Sequence, residues 1–210
     1  PYSIKSWDRK SFESDPFGRN LWGTPPQGCA DYAFQQHIQK SLDLKNGRSI
    51  SLWPHGILFR DAESDMRRKM IEQDQVECVV GLGPNLFYNS PMEACLLITK
   101  TKKEKSKQGK VLIINAVKEV RQDKNIAYLE NNHIERIYNA YTAYEDQEGF
   151  CKVVSIEAVL AHKASLNMAL YVSNVDSSKE VISLQDALEN WSISSEQLAS
   201  SMNTLFKELG

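Results

Sequence analysis

Three apolar runs of strand length, Val76 to Leu82, Ala94 to Thr99 and Val111 to Ala116, constrain this chain more than any other feature. Each is short, bounded by Gly, Pro or charged residues, and reads as a buried strand. Ile50-Ser51-Leu52-Trp53 makes another, ended by Pro54-His55-Gly56. Ahead of these runs the apolar period is helical. Ala30, Ala33, Phe34, His37, Ile38, Ser41 and Leu42 fall on one helical face, which places His37 in the core and makes Asn46-Gly47 a stop. Met66, Met70 and Ile71 define a second helix over 62–73, capped by Asp61. Helix, strand, helix, strand, loop, strand is the order of a doubly wound sheet near one edge. The tight Gly83 to Pro91 connection calls for an antiparallel strand on an otherwise parallel sheet. The expected fold class is α/β.

Downstream, Ile134, Ile137, Tyr138, Tyr141 and Tyr144 form an amphipathic helix with tyrosines at its rim, and Val153 to Val159 is a short apolar segment. Two helices are expected at the end. Ser183 caps the first (Leu184, Ala187, Leu188, Trp191), and Ser194 with Gln197 forms a capping box for the second. The second carries a stripe of Leu198, Met202, Leu205 and Leu209, either core or an interface for a partner helix. Residues 1–30 are irregular but rich in aromatics (Trp7, Phe12, Phe17, Trp22), which suggests a surface that closes on something.

Several function classes are excluded. The four cysteines are scattered without a C-x-x-C pair, and Cys78 and Cys95 sit inside strand runs as small hydrophobes, which fits a reduced, cytoplasmic setting. No apolar run reaches the ~18 residues of a membrane span. His37, His55, His133 and His162 lack metal-ligand spacing, so no metal is expected. Gly81-Leu82-Gly83 follows a strand, but Leu86 replaces the third glycine of a dinucleotide loop. The formal net charge of −2 announces no nucleic-acid binder. Locally, Lys100, Lys102, Lys103, Lys105, Lys107 and Lys110 surround Glu104, either as a solvated hairpin or as a phosphate-contacting loop.

Several blocks together carry a family resemblance. They are Pro1-Tyr2-Ser3-Ile4-Lys5-Ser6-Trp7, Ala30-Asp31-Tyr32-Ala33-Phe34, Trp53-Pro54-His55-Gly56-Ile57-Leu58-Phe59-Arg60 and Gly81-Leu82-Gly83-Pro84-Asn85-Leu86-Phe87-Tyr88. In order and spacing over roughly residues 1–175, they resemble the modification (methylase) subunit of type I restriction–modification systems. The resemblance implies an N6-adenine DNA methyltransferase whose Asn-Pro-Pro-Tyr motif is entered at Pro1-Tyr2. Methyl transfer to an adenine amino group faces a delocalised lone pair, which acceptors at its N–H bonds localise in the transition state. By the resemblance, Pro1 abuts the cofactor and Tyr2 stacks on the extruded base, offsetting the few kcal/mol that extrusion costs. Phe34 packs either on the adenine of S-adenosylmethionine or in the core. Phe87 and Tyr88 offer either a second stacking face for the base or a plug beneath their loop.

The resemblance further implies the C-terminal half of a Rossmann-like methyltransferase sheet, parallel with an antiparallel edge strand, followed by C-terminal helices. The catalytic half-domain is expected over 1–116, a family-specific extension over 117–182 and a helical hairpin over 183–210. The implied cofactor is S-adenosylmethionine, and the implied partners are DNA, a specificity subunit and a restriction subunit. The chain starts without Met and has no glycine-rich cofactor loop, so it is expected to be part of a larger catalytic chain, inactive alone. Two other readings are a non-catalytic interaction module and a methyltransferase acting on protein or RNA amino groups.

Overall fold

Strands form where the apolar runs lie. The computed structural model describes residues 4–87, 90–124, 126–173 and 184–208. Its strands are β1 (Arg48–Pro54), β2 (Val76–Leu82), β3 (Ala94–Lys100), β4 (Lys110–Ala116), β5 (Arg121–Asp123), β6 (Ile126–Tyr128) and β7 (Cys151–Ser155). Five of them form one sheet in the order β1-β3-β2-β4-β7, while β5 and β6 form a separate two-stranded hairpin. Only β2 and β4 are hydrogen-bonded in parallel; β3 runs antiparallel to both β1 and β2, and β7 antiparallel to β4. The sheet is therefore mixed and mostly antiparallel. The antiparallel strand that follows the Gly83–Pro91 connection lies inside the sheet, and β7 supplies an antiparallel edge. On its outer side β1 has no strand partner among the described residues.

β2 is buried along its whole length, as a continuous apolar run predicts for a strand covered on both faces. Val79 faces one core cluster, together with Trp53, Met70, Ile71 and Leu97. Cys78, Val80 and Leu82 face the other, with Leu112, Ile114 and Phe150. Burying a Val, Leu or Ile side chain stabilises by roughly 1.5–3 kcal/mol, so these alternating contacts fix which face each strand residue takes.

The helices in chain order are α1 (Arg9–Glu13), α2 (Asp31–Ser41), α3 (Ser64–Glu72), α4 (Asn131–Ala143), α5 (Ile156–Ala161) and α6 (Leu184–Glu208). Asp8 caps α1 by accepting from the Ser11 N–H. The turn before α3 is a 3-10 helix over Asp61–Glu63, so Asp61 opens that turn rather than capping α3. α4 covers the second face through Ile137, Ala140, Tyr141 and Tyr144.

α2 departs from its apolar period. Its buried face carries Tyr32, Gln35, Gln36 and Gln39, and His37 is exposed. The glutamine oxygens find partners across the chain, while Gln35 Nε2 is buried without one among the described residues. Gln35 Oε1 accepts from Trp53 Nε1 (2.9 Å) and Ser51 Oγ (3.0 Å), Gln36 Oε1 from the Trp22 N–H (2.6 Å), and Gln39 Oε1 from Thr99 Oγ1 (3.1 Å). Buried carboxamides are tolerated when so bonded, and three of them outweigh the period of Phe34, His37 and Ile38. The aromatic N-terminal segment is likewise built into the core. Phe12 and Trp22 are buried, and Trp22 donates to Gln73 Oε1 (2.9 Å) while its carbonyl accepts from Lys69 Nζ (2.9 Å).

Residues 1–174 form one compact unit and 175–210 a second. Within the first, β7 pairs with β4, so chain beyond residue 116 completes the sheet itself. In the second, the expected break near Ser194 is absent: α6 is one helix of 25 residues. Ser192 to Gln197 contains no Gly or Pro, and a serine caps only where the backbone already leaves the helix. Ser183 and Leu209 lie outside the described residues.

Candidate functional site

The topology places β1, β2 and β4 in one direction, so their carboxyl ends (Pro54-His55, Leu82-Gly83, Ala116-Val117) lie along one end of the sheet. Ligands gather at this end in open α/β sheets. The β2–β3 loop carrying Phe87 emerges here. At its root a Cβ on Gly83 would lie 2.5 Å from the Val117 carbonyl oxygen, so glycine lets the loop approach the chain after β4. Asn85 takes a left-handed conformation (φ 61°), and its carbonyl accepts from the Ala127 N–H (3.0 Å), tying the loop to the β5–β6 hairpin. Leu86 packs on the core cluster, whereas Phe87 belongs to neither cluster and is half-buried. Leu86 thus packs beneath the loop, while Phe87 stays outside both clusters. Pro1, Tyr2 and Tyr88 lie outside the described residues.

Phe34 is half-buried on α2, packed against the first core cluster. It also lines two open grooves. One, of about 360 Å³, runs along the unpaired side of β1 with Ile38, Ile50, Leu52 and Trp53. The other, of about 270 Å³, lies towards Trp7, Phe12 and Arg19. One side of Phe34 packs on core, and the side chain also lines open space. Phe34 and Phe87 share no groove among those described.

A third cleft, of about 200 Å³, opens at the carboxyl ends of the strands between His55, Glu93, Asn115, Val117, Asn167 and Met168. His55 Nδ1 lies 3.0 Å from Glu93 Oε2, joining the end of β1 to the end of the Phe87 loop. Arg67, itself buried, donates to the carbonyls of Ile57 (3.3 Å), Arg60 (3.1 Å) and Ala164 (2.7 Å) and so fixes the turn after His55. Met168 sits over Gly81, where a Cβ would lie 1.9 Å from its sulfur. Apart from His55, none of these residues stands out in the sequence. The available signal was a lone polar residue, Asn115, near the end of an apolar strand.

Cys29, Asp31 and Glu63 come close enough to share a cation. The charge there is already supplied by Arg60, which reaches Asp31 Oδ2 (2.6 Å) and Glu63 Oε2 (2.7 Å). Burial pushes the Cys29 thiol up to about 12, so it remains a protonated donor to Asp31 (3.1 Å) rather than a thiolate ligand.

The lysine-rich segment lies at the other end of the sheet. β3 spans seven residues between the Phe87 loop and Lys100, which at ~3.3 Å per residue is about 20 Å. Three of its lysines are engaged internally. Lys100 and Lys107 lie 2.9 and 3.5 Å from buried Glu77, and buried Lys103 donates to Asp74 Oδ1 and to the Lys110 carbonyl, both at 2.6 Å. Lys102, Lys105 and Lys110 are exposed.

Comparison with known proteins follows the same lines. The methylase subunit of the type I restriction enzyme MjaVIII from Methanocaldococcus jannaschii is 34% identical over 165 residues, covering 77% of this chain and 28% of the relative. The HindI methylase subunit from Haemophilus influenzae is 29% identical, covering 90% and 44%. The chain thus spans between 28% and 44% of the length of these two relatives. The crystal structure of a type I restriction-modification methyltransferase subunit from Streptococcus thermophilus matches with a TM-score of 0.75 at 32% identity, over 82% of this chain and 36% of that one. The EcoKI M protein, 16% identical with a TM-score of 0.56, shares the fold. The profile of the N-6 DNA Methylase family matches residues 1–180, a span that holds the mixed sheet, the Phe87 loop and the cleft at the strand ends, and the chain belongs to that family.

Proposed function

We propose that this chain serves in a DNA methyltransferase that transfers a methyl group from S-adenosylmethionine to adenine N6 within a type I restriction–modification complex. The observation that carries the reading is the match to the Streptococcus thermophilus subunit, where sequence identity and a shared fold coincide over most of the chain. S-adenosylmethionine supplies an electrophilic methyl on sulfonium. The described residues fit part of such a ligand. The groove beside β1 is lined by Phe34, Ile38, Ile50, Leu52 and Trp53 with His37 and Ser51 among them, a mainly apolar wall suited to a flat purine. It holds no carboxylate for a ribose, so residues 1–210 alone are proposed to be inactive.

In this reading Phe34 faces the cofactor's adenine and Pro1 borders its methyl group. Tyr2 stacks on the extruded target base, with Phe87 and Tyr88 contributing a second stacking face. Exposed Leu188, Trp191, Leu198, Met202 and Leu205 on α6 serve contact with the specificity subunit, and the assembled complex adds a restriction subunit. No helix among the described residues is long and apolar enough to cross a membrane, and we place the complex in the cytoplasm, with the DNA it modifies. The test is methyl incorporation by the reconstituted complex into host DNA compared with ribosomal extract. Tyr2→Ala and Phe87→Ala should each lower incorporation tenfold or more, since stacking on one base is worth about 1–3 kcal/mol. Incorporation into the ribosomal extract instead of DNA would overturn the assignment.

A further inference from the structure

We propose that the cleft at the strand ends holds a backbone phosphate of the target DNA strand, with the carboxamide N–H groups of Asn115 and Asn167 as its donors. The inference rests on the methyltransferase reading and deepens it.

Each of the two side chains is already half used. Asn115 Oδ1 accepts from the Val117 N–H (3.4 Å), and Asn167 Oδ1 accepts from the Ala169 N–H (3.2 Å). Both turns fix the carboxamide with its oxygen against the backbone, which leaves the NH2 end as the group presented to the cleft. Among the described residues neither nitrogen has a hydrogen-bond partner, and both residues are half-buried in the lining of the cleft. Two N–H donors arriving from different elements, β4 and the 3-10 turn Met168–Leu170, suit one multivalent acceptor. The one carboxylate on the rim, Glu93, is turned to His55 at 3.0 Å. Val117, buried Met168 and Ala169 form the apolar remainder, and Lys118 adds a cation to the lining.

The place selects among acceptors. The cleft lies at the sheet end from which the Phe87 loop emerges, and Glu93 closes that loop. A nucleotide extruded towards Phe87 must bring its flanking phosphates past the same rim. Asparagine is an ordinary phosphate donor in protein–DNA interfaces, where such contacts set register and orientation. The cleft's 200 Å³ suits a phosphate better than a nucleotide.

The Asn115→Asp and Asn167→Asp variants test the idea, because aspartate keeps the oxygen that supports each turn while replacing the donor by a negatively charged acceptor. In the complete methylase complex, DNA affinity at constant salt should fall about tenfold or more in each, as expected for replacing a donor to a charged group by a carboxylate. Target duplexes with a neutral methylphosphonate at each phosphate flanking the adenine, one at a time, supply the second arm. At one position the replacement should weaken wild-type binding and strengthen binding by the Asp variants. Wild-type affinity in the variants, or an equal methylphosphonate penalty in all proteins, would overturn the proposal. So would coupling of the Asn positions to 7-deaza-adenine at the target instead of to a phosphate, which would make the acceptor a ring nitrogen. Absence of adenine methylation by the wild-type complex would sink the methyltransferase reading separately.

Discussion

Glu77→Gln tests whether the lysine-rich segment serves the fold or a ligand. Glu77 is the second residue of β2, its side chain fully buried, 2.9 Å from Lys100 Nζ and 3.5 Å from Lys107 Nζ. Tyr141 donates to its Oε1 at 2.6 Å, and Tyr144 donates to its backbone carbonyl at 3.1 Å. Lys107 also lies over the Tyr141 and Tyr144 rings. Burial alone would raise the Glu77 pKa, but the hydrogen bonds from Tyr141 and Lys100 outweigh it and hold the carboxyl below its ordinary value. Gln keeps the shape and the Tyr141 bond and removes the charge, leaving two lysines facing a neutral amide. Removing one partner of a buried pair costs about 3–5 kcal/mol, and because both lysines keep some contact with water we expect about 2–3. Tyr141→Phe should cost about 1.5 kcal/mol in the parent and less in the Gln variant, because its acceptor is then uncharged. The pH dependence has a fixed sign. A carboxyl lowered by folding stabilises above its unfolded value and loses that contribution as pH falls through its folded value, so wild type and variant should converge once pH has fallen below the ordinary carboxylate range. Urea unfolding followed by the fluorescence of buried Trp22 and Trp53 reads the unit that holds them. A loss below about 0.5 kcal/mol at neutral pH, or an equal loss in acid and at neutral pH, would show that the lysines are not held by Glu77.

Other outcomes follow from single contacts. Gly83→Ala should destabilise by about 1–3 kcal/mol and lower DNA methylation more than stability predicts, because its Cβ would meet the Val117 carbonyl at 2.5 Å and push the Phe87 loop outward; unchanged kinetics in the complex would refute the coupling. All four cysteines are buried, and burial raises every thiol, Cys29 and Cys95 to about 12. They should resist a thiol reagent until urea unfolds the chain, and prompt labelling of one would contradict the packing. Deleting residues 183–209 should abolish copurification with the specificity subunit, and undiminished complex formation would remove α6 from that role. Charge-neutral Lys102→Gln and Lys105→Gln substitutions should leave DNA affinity within about twofold, because that segment lies about 20 Å along the sheet from the Phe87 loop.

How far these arguments could be made from sequence alone varies by element. β2 was legible to the residue because burial on both faces demands a run that is apolar but for Glu77, and few other elements do. α2 was legible in extent but not in orientation. A period count favours Phe34, His37 and Ile38 as the inner face, yet Gln35, Gln36 and Gln39 point inward because Trp22, Ser51, Trp53 and Thr99 offer them partners. Those partners come from 14 to 60 residues away, so no local window contains the reason. The consequence is functional: turning the glutamines in leaves Phe34 and Ile38 to line the groove beside β1.

The same non-locality governs the two regions where chemistry was sought. Composition draws the eye to the lysine segment, yet Glu77 and Asp74 neutralise its inward cations, and the sheet sets it at the far end from Phe87. The cleft has the opposite character. His55, Glu93, Asn115 and Asn167 are single polar residues in four separate segments, ordinary in each, and they meet because β1, β2 and β4 end side by side while Gly81 gives Met168 room to close the floor. His55 and Asn115 sit at the carboxyl ends of strands that run in one direction, where ligands gather in open α/β sheets, so Asn115 is the position at which substitution should separate binding from folding most cleanly.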